Sequence, residues 1–136
     1  MQRRDFLLLS AAISLAAPMM AKAAPVNIYS PKLVASELAA GKTVVLDFTA
    51  SWCISCLSQG RAIQALRDAN PAYDKTITVV DLDWDTYKRT DIAKKYGVTD
   101  RGSLVFLRGN KVIAQTYSHS AKADLKVLFD QAAAAA

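Results

Sequence analysis

The stretch TVVLDFTASWCISC, Thr43 to Cys56, is an apolar run with one acid inside it, Asp47, followed by both of the chain's cysteines. Val44, Val45, Leu46 and Phe48 are β-branched or bulky and end at Ala50-Ser51, which predicts a buried strand; Cys53 to Leu66 predicts the helix that follows. Such a strand aims Cys53 at the first turn of a helix, where unpaired N–H groups and the positive end of the dipole favour an anion. Cys53 is therefore expected to ionise more readily than a free cysteine. Cys56, one turn further in, is expected to stay protonated and shielded. Their spacing lets the two sulfurs close a disulfide within one helical turn, as reversible thiol–disulfide exchange requires. A purely structural disulfide, or half of a metal site shared between two chains, would use the same pair.

Composition narrows the other possibilities. With 136 residues, 52% of them hydrophobic, the chain has the apolar material for one small globular domain. Its formal charge is +5, but setting aside Arg3, Arg4, Lys22 and Asp5 leaves 14 basic and 11 acidic residues, or +3. That surplus is too mild and too scattered to argue nucleic-acid binding. There is no glycine-rich phosphate loop, no histidine pair and no second cysteine pair of zinc type. The chemistry falls to the thiols.

Met1 to Ala23 has a short charged start, an apolar stretch from Phe6 to Met20 and small residues around Lys22, the layout of a cleavable export signal cut after Ala23. About 15 apolar residues fall short of the ~20 that span a bilayer. Within it, Gln2-Arg3-Arg4-Asp5-Phe6-Leu7-Leu8 resembles the bacterial twin-arginine pattern, departing from it at Gln2 and in lacking a lysine after the leucine. The expected organisation is a leader over 1–23 and one domain over 24–136, in an oxidising periplasm.

The remaining elements follow from punctuation. Ser30-Pro31 and Gly41 bracket a short helix. The helix from Cys53 places Ile63 and Leu66 on one face, exposes Arg61, Arg67 and Asp68, and stops at Asn70-Pro71. Ile77 to Leu82 predicts a second buried strand, with an acidic end at Asp81, Asp83 and Asp85 that lacks the loop glycine and closing glutamate of a calcium loop. Thr86 to Tyr96, closed by Gly97, predicts one charged helix. Ser103 to Arg108 and Lys111 to Tyr117 predict strands joined at Gly109-Asn110. Ser120 is expected to cap a last helix with Leu125, Leu128 and Phe129 inward and a fraying alanine tail. The fold class is α/β: a mixed sheet of four strands, five if Val26 to Tyr29 pairs, with helices on both faces.

This order of elements resembles the thioredoxin family over nearly all of the chain after the leader, and the resemblance implies that family's three-layer fold. Within LDFTASWCISC, Asp47 falls on the family's buried acid, Trp52 on the tryptophan before the nucleophile, Cys53 on the nucleophile and Cys56 on the resolving cysteine. Tyr96-Gly97-Val98 resembles the turn before the substrate-binding loop. The resemblance implies that Asp47 accepts the Cys56 proton and that Trp52, Arg101 and Gly102 border the bound substrate. Gly102 stands where the family has a cis-proline; a cis bond there would cost about 2.5–4 kcal/mol, so a trans bond or a rebuilt loop is expected. Arg101 brings a cation near the thiols and favours acidic partners. Ile54-Ser55 supplies no histidine between the cysteines, which leans toward a reductant. Asp81 falls on the family's lysine, so that Asp47 faces a carboxylate. His119 is by default a solvated loop residue, set by the resemblance beside the active-site groove.

The expected function is thus a periplasmic thiol–disulfide oxidoreductase, more a reductant than an oxidant, with protein disulfides as substrates and a membrane-embedded electron donor. It is expected to be a monomer with no cofactor, no metal and no nucleic-acid partner. The alternative is a metal or iron–sulfur carrier using Cys53 and Cys56 from two chains.

Overall fold

The structure, a computed structural model, describes residues 25–117 and 121–135. In chain order the elements are β1 (Asn27–Ile28), α1 (Pro31–Ala39), β2 (Thr43–Thr49), α2 (Ile54–Ala69), α3 (Tyr73–Thr76), β3 (Ile77–Asp83), α4 (Trp84–Tyr87), α5 (Asp91–Lys95), β4 (Ser103–Arg108), β5 (Lys111–Tyr117) and α6 (Lys122–Ala134). They build one sheet in the order β1-β3-β2-β4-β5, with β3 parallel to β1 and β2, and β4 antiparallel to β2 and β5. The fifth strand is present, though only two residues long.

The unbroken apolar run of β2 reflects its central place. Val44, Val45, Leu46 and Phe48 are all fully buried, alternating between the two faces. Val45 joins Ile63 and Leu66 of α2, Phe106 of β4 and Leu125 and Phe129 of α6 in one core. Leu46 and Phe48 join Leu82 and Val105 beneath α1, α4 and α5 in the other. A strand covered on both faces has no need of polar alternation, which is why Asp47 is conspicuous there.

Ser30 caps α1 as expected, its side chain accepting from the Leu33 N–H at 3.1 Å, and Gly41 follows at a φ of 81°. Four expectations change. The single helix over Thr86 to Tyr96 is two, because Thr90 takes an extended conformation and turns its hydroxyl back to the Tyr87 carbonyl at 2.7 Å. Arg67 is buried rather than exposed: α3 turns the chain back after Pro71 and brings the Asp74 carboxylate to 2.7 Å from its Nε. The alanine tail docks instead of fraying, for Ala132 is fully buried and its carbonyl accepts from Thr43 Oγ1 at 3.1 Å. Ala121, without a side-chain hydrogen bond, takes the cap position of α6. The leader, His119 and Ser120 lie outside the described residues. No helix among the described residues is long and apolar enough to cross a membrane.

Candidate functional site

The end of β2 delivers the chain through a tight turn, in which the Cys53 N–H donates to the Ala50 carbonyl at 3.1 Å, to the start of α2. Cys53 is the N-cap itself, and Ile54 the first helical residue. Its Sγ accepts from the Cys56 N–H at 3.2 Å and lies 3.3 Å from Ser55 Oγ. A sulfur at the cap of a 16-residue helix receives the orphan donors and the dipole that stabilise a thiolate. Here the two cysteines form a disulfide, with their Cα atoms 5.2 Å apart. Cys56 is shielded as expected, but Cys53 is covered too, only 3% exposed. Ala50 and Trp84 complete that cover.

Around this closed centre lies an apolar rim. Trp52 is 56% exposed, Ile54 81% and Leu57 44%, large apolar side chains left in water beside the disulfide. Trp52 is also tethered. Its Nε1 donates to Asp85 Oδ2 at 2.7 Å, and this bond is the main reason the Asp85 carboxyl lies below its ordinary value. The Arg101 guanidinium sits 5.0 Å from the Trp52 ring centroid, in cation–π range, and bonds Asp100 Oδ1 at 3.2 Å. Asp85, Trp52, Arg101 and Asp100 thus link the start of α4, the active-site turn and the loop before β4.

That loop is rebuilt around Gly102. No described peptide bond is cis, and Gly102 has a φ of 79°, a left-handed conformation closed to proline. Its N–H donates to the Phe48 carbonyl at 2.6 Å, and its carbonyl accepts from Gln59 Nε2 at 3.2 Å. The Arg101 N–H is likewise taken, by Asp100 Oδ1 at 2.8 Å. Proline could supply neither the φ nor the donor, so glycine here belongs to a different loop. The N–H groups of Arg101 and Gly102 and the Gly102 carbonyl are thus all bonded within the protein.

Beneath the disulfide, Asp47 is 3% exposed, and its Oδ1 has no hydrogen-bond partner. Burial, then the nearby Asp81, push its carboxyl up to about 8, while a hydrogen bond with Gln59 opposes the rise. Asp81 stands directly opposite in the β2–β3 register. Its own carboxyl rises to about 6 through burial, held back by Arg67. Asp47, Asp81 and Cys56 line one cleft of about 290 Å³, together with Arg61, Leu57 and Val79.

Of the residues singled out in the sequence, Asp47, Trp52, Cys53, Cys56, Arg101 and Gly102 all gather at this end of the sheet. Three were missed. Trp84 follows an acidic strand end that reads as solvated, Gln59 occupies a helix position that periodicity alone marks as polar, and Asp85 gains its role only through Trp52. The two-chain metal reading is not favoured, since the sulfurs of Cys53 and Cys56 are joined to each other within one chain.

Comparison with known proteins agrees with this geometry. A family model described as Thioredoxin matches residues 26–131. A thioredoxin of Chlorobaculum thiosulfatiphilum is 32% identical over 74 residues, covering 54% of this chain and 64% of that protein, just under two thirds. Thioredoxin-1 of Drosophila melanogaster is 30% identical over 95 residues, covering 70% and 81%. Among solved structures, Trxlp from Edwardsiella tarda EIB202 superposes with a TM-score of 0.68 at 24% identity, over 77% of this chain and 98% of the other. Thioredoxin of Malassezia sympodialis gives 0.68 at 22% identity, over 83% and 95%.

Proposed function

The chain belongs to the thioredoxin family, whose CxxC members are thiol–disulfide oxidoreductases, and from that premise we propose that it reduces protein disulfides in the periplasm through Cys53 and Cys56. The observation that carries the reading is the disulfide at the cap of α2 with a buried carboxyl behind it. In the reduced protein, the Cys53 thiolate attacks one sulfur of a partner's disulfide, forming a mixed disulfide and releasing the partner's first thiolate. Cys56 gives its proton to Asp47 and attacks the Cys53 sulfur. The partner's second sulfur leaves, two electrons have passed to the partner, and Cys53–Cys56 is again a disulfide.

A reducing direction fits the electrostatics. An oxidising pair owes its potential to a strongly stabilised thiolate. Here the ionised Asp81 lines the cleft that reaches Cys56, and Ile54-Ser55 brings no cation between the sulfurs to add to the helix cap. The Asp81 charge opposes the thiolate that the cap favours, which leans toward a lower potential. Trp52, Ile54 and Leu57 form the docking rim, with Arg101 beside it. The periplasmic setting rests on the leader sequence alone, and renewal of the dithiol there requires a two-electron donor embedded in the membrane.

The test uses the exported domain, residues 24–136. Reduction of a protein disulfide with a thiol donor should vanish in Cys53→Ser, whereas Cys56→Ser should accumulate mixed disulfides. Activity equal to that of Cys53→Ser would sink the assignment. A potential near that of thioredoxin, about −270 mV, supports the reductant, and one near −120 mV overturns it. Export through the twin-arginine route fails if Arg3-Arg4→Lys-Lys leaves the periplasmic yield unchanged.

A further inference from the structure

Parallel strands lie about 4.8 Å apart, and paired positions point to the same face. The register of β2 with β3 therefore sets Asp47 and Asp81 side by side, both toward the cleft under α2 that also reaches Cys56. Asp47 is sealed in, while Asp81 is half-buried and lines a second cleft, about 370 Å³, with Thr49, Ser51 and Asp83. The two carboxyls thus run from the resolving cysteine toward solvent.

We propose that Asp47 and Asp81 share one proton as a coupled pair, and that Asp81 is the positioning residue that sets when Asp47 can take the proton of Cys56. This deepens the reading of Asp47 given above and rests on it.

Two like charges at strand spacing cannot both ionise freely in a buried site, so the pair retains a proton that a lone carboxyl would release. The unpartnered Oδ1 of Asp47 agrees with a group that stays neutral. The surrounding charges settle which member keeps the proton. From α2, Arg61 lines the cleft and Arg67 favours the ionised form of Asp81, although its Nε is engaged by Asp74. Gln59 favours the ionised form of Asp47. Asp83 on the same strand and Tyr87 of α4 share the outer cleft, and Tyr29 donates its N–H to the Asp81 carbonyl at 3.0 Å. Arg67 favours the ionised form of Asp81, whereas the neighbours that act on Asp47 are Asp81 itself and the uncharged Gln59, so the proton stays on Asp47.

This has opposite consequences for the two halves of the cycle. When the Cys53–Cys56 disulfide is opened by an incoming thiolate, Cys56 leaves as a thiolate and takes the proton the pair holds. When the disulfide closes, Asp47 must first lose its proton to solvent before it can accept that of Cys56, and the Asp81 charge opposes this loss.

Two readouts on residues 24–136 test the pair. Carbon-13 NMR of the Asp47 carboxyl, followed against pH, should show its midpoint fall by about one pH unit in Asp81→Asn and stay high in Asp81→Glu, which keeps the charge. Reaction of the reduced protein with 5,5′-dithiobis(2-nitrobenzoate) should release chromophore in two phases, the second being the attack of Cys56 on the Cys53 mixed disulfide. In Asp81→Asn that phase should quicken about five-fold at pH 7, the gain in ionised Asp47 that such a fall implies. In an Asp47→Asn background, Asp81→Asn should add nothing. An unmoved Asp47 midpoint in Asp81→Asn overturns the pair while leaving the exchange reading intact. A wild-type protein with no second phase overturns the exchange reading, and the NMR titration still decides the pair by itself.

Discussion

The two flanks of the disulfide are built on opposite terms. On one side Asp47 and Asp81 lie on paired strands beneath the sulfurs, fixed by sheet register and by burial. On the other, Trp52, Arg101 and Gly102 sit on loops, held by a ring stack, a carboxylate and backbone bonds to Phe48 and Gln59. In the function proposed above, the first flank handles the proton and the second borders the partner. They meet at Gln59, whose side chain donates to the Gly102 carbonyl and also acts on the Asp47 carboxyl, and otherwise hang from different elements. The loop, with glycine at 102, is closed upon Phe48 and Gln59, while the buried acid shares a cleft with Cys56.

Substitutions that strike one flank alone test this separation. The largest effect is expected from Gly102→Pro, which cannot adopt a φ of 79° and removes the N–H given to Phe48. It should cost about 3 kcal/mol or more in thermal or denaturant unfolding. A protein as stable as wild type would show that the loop re-forms around proline. Asp47→Asn should act the other way, and only at raised pH. The folded state keeps on Asp47, up to about pH 8, a proton that the unfolded chain gives up near its ordinary value of 3.8, so the wild-type stability is intact below about pH 4 and erodes as pH rises through 8. At pH 8 the variant should therefore be more stable by about 2–4 kcal/mol, with the gain shrinking toward pH 4. A gain independent of pH would remove the buried charge as its cause. The smallest effect belongs to Arg101→Ala, which loses one cation–π contact and should cost about 0.5–1 kcal/mol. It should slow reduction of acidic peptide disulfides more than basic ones and leave the second chromophore phase unchanged, keeping the two flanks distinct.

The strand, helix and cysteine spacing were legible because local rules suffice for them. A run buried on both faces, a Ser-Pro cap and a Gly-Asn hairpin are each written within a few residues. Arg67 and Thr90 were misread for the converse reason. The fate of Arg67 depends on Asp74, which α3 folds back against it, and the break at Thr90 depends on a hydroxyl finding the Tyr87 carbonyl rather than water. Ala132 looked like part of a loose tail because alanine carries no pattern of its own; its burial comes from the floor of the sheet at Thr43.

By itself, the sequence determined the thiol pair, its place at the head of a helix and the acid in the strand before it. These are matters of order and spacing, which survive without coordinates. The resemblance implied that Asp47 faces Asp81 and the register places it there, but only the tertiary structure decided that Trp84 covers the sulfurs and that Gly102 serves a loop turned inward on Phe48 and Gln59. Those depend on strand register and on segments far apart in the chain meeting across the sheet, and a one-residue slip in register would turn Asp81 to the opposite face.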